Sequence, residues 1–185
     1  MSAPEGVNLS HHTSAEAQEM LDELGEVYAD AYQVEPGGEK VEAFRGRAMA
    51  AFGSANFDLV TARADGELVG FVFGYSLERS AWWDGLDPQP EPGFTEENGS
   101  RTAVLSEIEV RHAWQRQGLG RRLQEEFLRT RSEERATLAT GSEVPSQHVY
   151  PRWGWTKVGL VPGRPGAYFW AYWRFIRPLR PEATE

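Results

Sequence analysis

The 185-residue chain contains no cysteine, which excludes disulfides, thiolate metal sites and a cysteine nucleophile. No run approaches 18 apolar residues, so no segment has the length of a membrane-spanning helix. The first residues, Met1 to Glu5, carry neither a basic region nor an apolar core, so a signal peptide is not expected and the expected location is cytoplasmic. His11 and His12 lack the companions of a metal-ligand pattern, so no metal is expected. A pI near 5.0 and the want of a dense basic stripe argue against nucleic-acid binding. What remains is ordinary for a globular protein, with 40% hydrophobic and 25% charged residues.

The net charge of −9 is unevenly spread. Residues 1–100 hold 19 acids against 5 bases, and residues 101–185 hold 9 acids against 14 bases. The acidic half suits a cationic partner and the basic half an anionic one; two solvated faces would give the same pattern.

A single domain over 1–185 is expected, with flexible tails at 1–7 and 177–185. Val7–Leu9 reads as the start of an edge strand. Thr13-Ser14-Ala15-Glu16 is a capping box. It opens one amphipathic helix through Ala17, Met20, Leu21, Leu24, Val27, Tyr28 and Ala31, ended by Pro36-Gly37-Gly38. A second helix is expected over 39–52. Strands Phe57–Ala62 and Leu68–Leu77 flank Asp65-Gly66, a hairpin signal. Asp84–Ser100 is a long loop, either a lid or disordered, with Trp82 and Trp83 at its entrance. A strand at Ala103–Val110, a helix over 119–132 and a strand at Ala136–Ala139 form a parallel βαβ unit. A short helix over Pro145–Trp153 ends at Gly154, and strands Lys157–Val161 and Ala167–Ile176 close the chain. The fold class is α/β (α+β): a mixed, mostly antiparallel sheet with one parallel βαβ unit and helices on both faces.

Between strand and helix lies Gln115-Arg116-Gln117-Gly118-Leu119-Gly120-Arg121. A helix N-terminus offers unpaired amides and a positive dipole end, and glycine lets a ligand approach the backbone. The turn therefore suits phosphate. It lacks the Lys-Ser/Thr of a P-loop and the third glycine of a dinucleotide fingerprint. Gln115-x-x-Gly118-x-Gly120 resembles the acyl-CoA signature of the GCN5-related N-acetyltransferases, the GNAT family. Glu107-Ile108-Glu109-Val110 resembles that family's central strand. Tyr150-Pro151-Arg152-Trp153-Gly154-Trp155 resembles its Tyr-x-x-x-Gly-Phe segment, with Trp155 in place of Phe. Element order agrees from about residue 7 to 176, nearly the whole chain.

The resemblance implies acetyl-CoA, or another acyl-CoA, as cosubstrate. It places the pyrophosphate on the turn from Gln115 to Arg121 and pantetheine along Ile108, Glu109 and Val110, in the slot where this strand parts from the next. It makes Tyr150 the acid that protonates the departing thiolate. Where the family often has Asn seven residues before that Tyr, this chain has Glu143; Pro151 falls inside the expected helix and removes a donor. The implied acceptor is an amine of a small molecule, an antibiotic or a peptide. An acyl carrier protein as donor, a CoA-binding module without turnover, and a homodimer stay open.

Attack by an amine requires its neutral form, so a base must take the ammonium proton. Leu105, Glu107 and Glu109 share one face of their strand. Repulsion and burial raise carboxyl pKa values. Glu107 is the first candidate base and Glu109 the second; the alternative is structural pairing with Arg111, Arg101 or a helix residue. His148 is expected to face solvent. Trp82 and Trp83 either wall an acceptor pocket or anchor their loop. Trp153, Trp155, Trp170 and Trp173 are expected in the core.

Overall fold

The computed structural model describes residues 6–180, and the expected tails therefore lie largely outside the described residues. Seven strands form one sheet in the order β1-β2-β3-β4-β5-β7-β6. They are β1 (Val7–His12), β2 (Asp58–Ala64), β3 (Glu67–Ser76), β4 (Thr102–Val110), β5 (Arg135–Gly141), β6 (Thr156–Pro162) and β7 (Ala171–Pro178). Contacts group the residues into two compact units, and β4 contributes to both: residues 1–75 with 105–131, and residues 76–104 with 132–185.

In the first unit the Thr13 hydroxyl accepts from the Glu16 amide, and the Glu16 carboxylate accepts from the Thr13 amide, closing the capping box. The helix behind it is not continuous. It breaks at Met20 into α1 (Ser14–Glu19) and α2 (Leu21–Tyr32), because Met20 leaves the helical region at φ −91°, ψ 0°. α2 ends earlier than Pro36, at Gln33, whose backbone is left-handed. α3 spans Glu39–Phe52 as its apolar spacing predicts. These helices bury Leu24, Val27, Phe44, Ala48 and Phe52 against Leu59, Phe71 and Phe73 of the sheet. Full burial of one such side chain is worth about 1.5–3 kcal/mol, so this cluster fixes where α2 and α3 lie. β2 and β3 are antiparallel about Asp65-Gly66, both at positive φ, which is the two-residue hairpin turn. α4 (Leu119–Arg129) lies on the opposite face. A Cβ on Gly70 would stand 3.1 Å from Leu123 and 3.0 Å from the Glu109 carbonyl, so the missing side chain brings helix and strand together.

In the second unit Thr102–Val104 pairs in parallel with Arg135–Thr137, the βαβ pairing the sequence predicts. β5 and β6 flank β7, both antiparallel to it. Two expectations fail here. Pro145–Trp153 is not an α-helix but two 3-10 turns, Pro145–His148 and Tyr150–Trp153, each with proline in its first turn, where the missing N–H is tolerated. β7 begins at Ala171 rather than Ala167, because the Gly163–Gly166 segment prolongs the loop; it runs to Pro178, into the expected tail.

Candidate active site

α2 and α3 deliver partners to the face of β4 that carries the two glutamates. Arg47 Nε of α3 donates to Glu107 Oε1 at 2.7 Å, and Tyr32 Oη of α2 donates to Glu109 Oε1 at 3.2 Å. Glu107 and Glu109 also act on one another, two residues apart on the same face of β4. Burial is the main cause that holds Glu109 well above the ordinary carboxyl range. The charge of Glu107 pushes the same way, against Tyr32 and Arg47. The neutral form of Glu109 is thereby favoured, while Glu107 accepts from Arg47. Burial disfavours the Arg47 cation, but Glu107 and Tyr28 outweigh it and hold that guanidinium above its ordinary value. Tyr28 stacks on Phe44 with ring centroids 4.6 Å apart, which seats the arginine. Tyr32 is exposed at the rim.

Of the partners anticipated for the glutamates, a helix residue is the one found, and it is Arg47. Arg111 instead donates to the Leu68 carbonyl and pairs with Glu67, while Arg101 holds carbonyls of Gly93 and Glu96. The acid excess of the N-terminal half is partly engaged within the fold. Asp22 pairs with Arg45, Glu23 with Arg63, and Asp30 accepts from the His112 amide.

Beyond β4 the chain turns through a 3-10 segment, His112–Trp114, into the glycine turn. The Gln115 side chain donates to the Ala31 carbonyl at 3.1 Å and the Val110 carbonyl at 2.9 Å, tying the turn to α2 and β4. Its role is thus to hold the turn's shape. Arg116 and Gly118 lie at φ 59° and 83°, and Gly118 is the N-cap of α4. No side chain caps the helix and its first turn holds no acid, so its amides and dipole face outward uncompensated. Arg116, Gln117 and Arg121 are exposed around it, with Leu119 buried beneath. Arg122 is spent on the Val7 carbonyl. This donor set fits a phosphate group. Ile108 and Val110 are half-buried on β4, on the face opposite Glu107.

Tyr150 and Glu143 belong to the second unit. Tyr150 is half-buried, with Trp153 and Phe175 at 5.9 and 5.7 Å. Glu143 is exposed and accepts from Trp170 Nε1 at 3.4 Å. His148 is exposed. Trp155 is buried as expected, whereas Trp170 is 68% exposed, because its segment is loop rather than strand.

The Asp84–Ser100 loop is anchored from inside. Glu97 Oε1 accepts from Trp83 Nε1, the Thr102 hydroxyl and Arg135 Nη2 at 2.9–3.0 Å. The same guanidinium lies over Trp83 and Phe94. Trp83 therefore anchors its loop. Asp87 exchanges two backbone bonds with Leu160 of β6, made feasible by Gly159, where a Cβ would meet the Asp87 carbonyl at 2.5 Å.

Residues 18–155 match the model of the acetyltransferase (GNAT) family. Among solved structures, a GNAT-family protein from Desulfovibrio desulfuricans superposes with a TM-score of 0.65 at 16% identity, covering 94% of this chain and 99% of its own. The aminoglycoside 6'-N-acetyltransferase of Enterococcus faecium gives 0.60 at 15%, covering 96% and 99%. The ribosomal-protein-S18-alanine N-acetyltransferase of Escherichia coli gives 0.60 at 15%, covering 97% and 99%. At these identities the likeness is one of fold. A search of curated proteins returns no significant match.

Proposed function

The chain belongs to the GNAT acetyltransferase family, and from that premise we propose that it acetylates a cationic amine of a small molecule or peptide, with acetyl-CoA as donor and the Glu107–Glu109 pair as proton acceptor. The observation that carries the reading is the pair itself: two carboxyl groups on one face of β4, held by Arg47 and Tyr32, in the same unit as an uncapped glycine turn.

The turn's free amides and the exposed Arg116 and Arg121 suit the pyrophosphate of acetyl-CoA, which when bound supplies an acyl group activated as a thioester. Among the described residues no cysteine is available, so a covalent acyl-cysteine is excluded and direct attack within a ternary complex is the simplest path. Glu107 is the basic member. It is the less buried carboxyl and accepts the proton of the incoming ammonium, while Glu109 keeps the proton already held. Arg47 holds the Glu107 side chain, and Tyr32 holds Glu109. As the nitrogen bonds to the acyl carbon, the carbon–sulfur bond breaks and the thiolate takes a proton. The family resemblance assigns Tyr150 to give it, and the second proton of the acylated nitrogen passes to the phenolate left behind.

The test compares wild type with Glu107→Gln and Glu109→Gln at saturating acetyl-CoA over a range of pH. Loss of a general base costs ~10²–10⁴ in rate. Glu107→Gln loses kcat/KM on that scale, most at low pH where the amine is protonated. Glu109→Gln retains most activity, since the amide copies the neutral form that burial favours and can still accept from Tyr32. Equal, pH-independent losses of a few-fold refute the assignment and leave positioning as the source of rate. Turnover with longer acyl-CoA or carrier-loaded acyl groups, and none with acetyl-CoA, refutes the donor.

A further inference from the structure

Residues 144–180 contain six arginines and lysines and not one aspartate or glutamate. Five of the six lie toward the surface, but Arg174, in the middle of β7, is 9% exposed. A buried guanidinium ordinarily has a carboxylate partner, because an unpaired buried charge is costly. Arg174 has none among the described residues. Its Nε donates to the Trp82 carbonyl at 3.1 Å and its guanidinium lies 4.3 Å from the centroid of the Trp82 ring. Among the described residues neither Nη group has a protein acceptor. A second arginine, Arg164, acts against its charge, and Tyr172 acts in its favour. Burial first, and Arg164 second, lower the Arg174 pKa to about 10.

The platform is held in place. Trp82 Nε1 donates to the Thr137 hydroxyl at 3.1 Å, and that hydroxyl, fully buried, donates to the Phe175 carbonyl at 2.8 Å. Arginine stacked on an indole keeps the planar donor edge of its fork open to an oxyanion. Every contact in the cluster orients the guanidinium and none neutralises it.

We propose that Arg174, set on Trp82 and flanked by Arg164, anchors a site for the carboxylate or phosphate group of a ligand. The ligand group takes the two Nη donors that the protein leaves free, and its charge offsets the burial of the guanidinium. The site lies within the second unit and does not depend on the base or the donor assigned above.

The experiment follows the side-chain Nε–H signal of Arg174 in ¹H–¹⁵N spectra, identified by its loss in Arg174→Lys. The protein is titrated with sodium acetate, with inorganic phosphate, and with sodium chloride at matched ionic strength. The signal moves and saturates with acetate, with phosphate or with both, and stays put with chloride; the responsive anion names the ligand group. Repeating the phosphate arm in Gly118→Glu removes binding at the glycine turn. In parallel, Arg174→Met melts no lower than wild type without added anion and loses the anion-dependent rise in Tm. An Arg174 signal unmoved by both anions overturns the proposal, as does a full anion-dependent rise in Arg174→Met. Should the methionine variant fail to fold, the titration of wild type decides alone.

Discussion

Glu109→Gln isolates the titration of the buried carboxyl on β4. Glu109 is fully buried and its pKa is raised well above 4.5, the ordinary value, chiefly by burial and then by Glu107. In the unfolded chain the same carboxyl releases its proton near the ordinary value. Below that value both states are protonated, and the group contributes its full stability. Above it, the unfolded chain has lost the proton and the folded protein has not, so wild-type stability falls as pH rises toward the folded pKa. The slope is about 1.4 kcal/mol per pH unit. The amide has no proton to lose, so the variant lacks this slope. At this chain length 1 kcal/mol shifts Tm by about 2–4 °C, and the Tm difference, variant minus wild type, grows by about 3–6 °C per pH unit within the window. Thermal unfolding by circular dichroism from about pH 5 to about pH 8 reads it directly, and titrations of groups that do not interact with Glu109 cancel between the two proteins. A difference constant across that range means Glu109 is already ionised when folded, and the upward shift inferred for it is wrong.

Gly118→Glu puts a side chain at a φ of 83° and a negative charge on the amides of α4, so calorimetry shows loss of acetyl-CoA binding with the far-ultraviolet spectrum unchanged. Arg135→Met strands the Glu97 carboxylate, whose side chain is wholly buried, and lowers unfolding free energy in urea by about 3–5 kcal/mol; adding Glu97→Gln recovers part of it in a double-mutant cycle. Gly159→Ala forces the Asp87 carbonyl away from β6 at a cost of about 1–3 kcal/mol, and limited proteolysis then cuts the Asp84–Ser100 loop faster than in wild type.

Local signals in the sequence located most elements, because period and caps are local properties. The capping box at Thr13, the Asp65-Gly66 turn and the parallel unit around α4 all follow from neighbours a few residues apart. The break at Met20 carries no glycine or proline to announce it. The late start of β7 was hidden by aromatic residues that read as strand, and this misplaced Trp170. The candidate site divides in the same way. The glutamates and the glycine turn stand out as residue types at a spacing. Arg47 and Tyr32 do not, since their partners on β4 lie 60 and 77 residues away. The available hint was positional: Tyr28 and Tyr32 are one turn apart on α2, and Arg47 follows Phe44 by three residues on α3. Arg174 gave a similar hint, a lone charge in the aromatic run Tyr172-Trp173-Arg174-Phe175.

β6 ends the order of strands, and the outer side of such a strand is where a foreign chain adds itself, one backbone ladder at a time. Asp87 already occupies that ladder at Leu160, using both the donor and the acceptor there. The long loop thus acts as a permanent false partner, and its length is what lets it reach round to the margin of the sheet. A homologue that shed these residues would keep its own fold and offer neighbouring molecules a template. At Leu160 the segment thus fills the place on β6 where a strand of another molecule would pair.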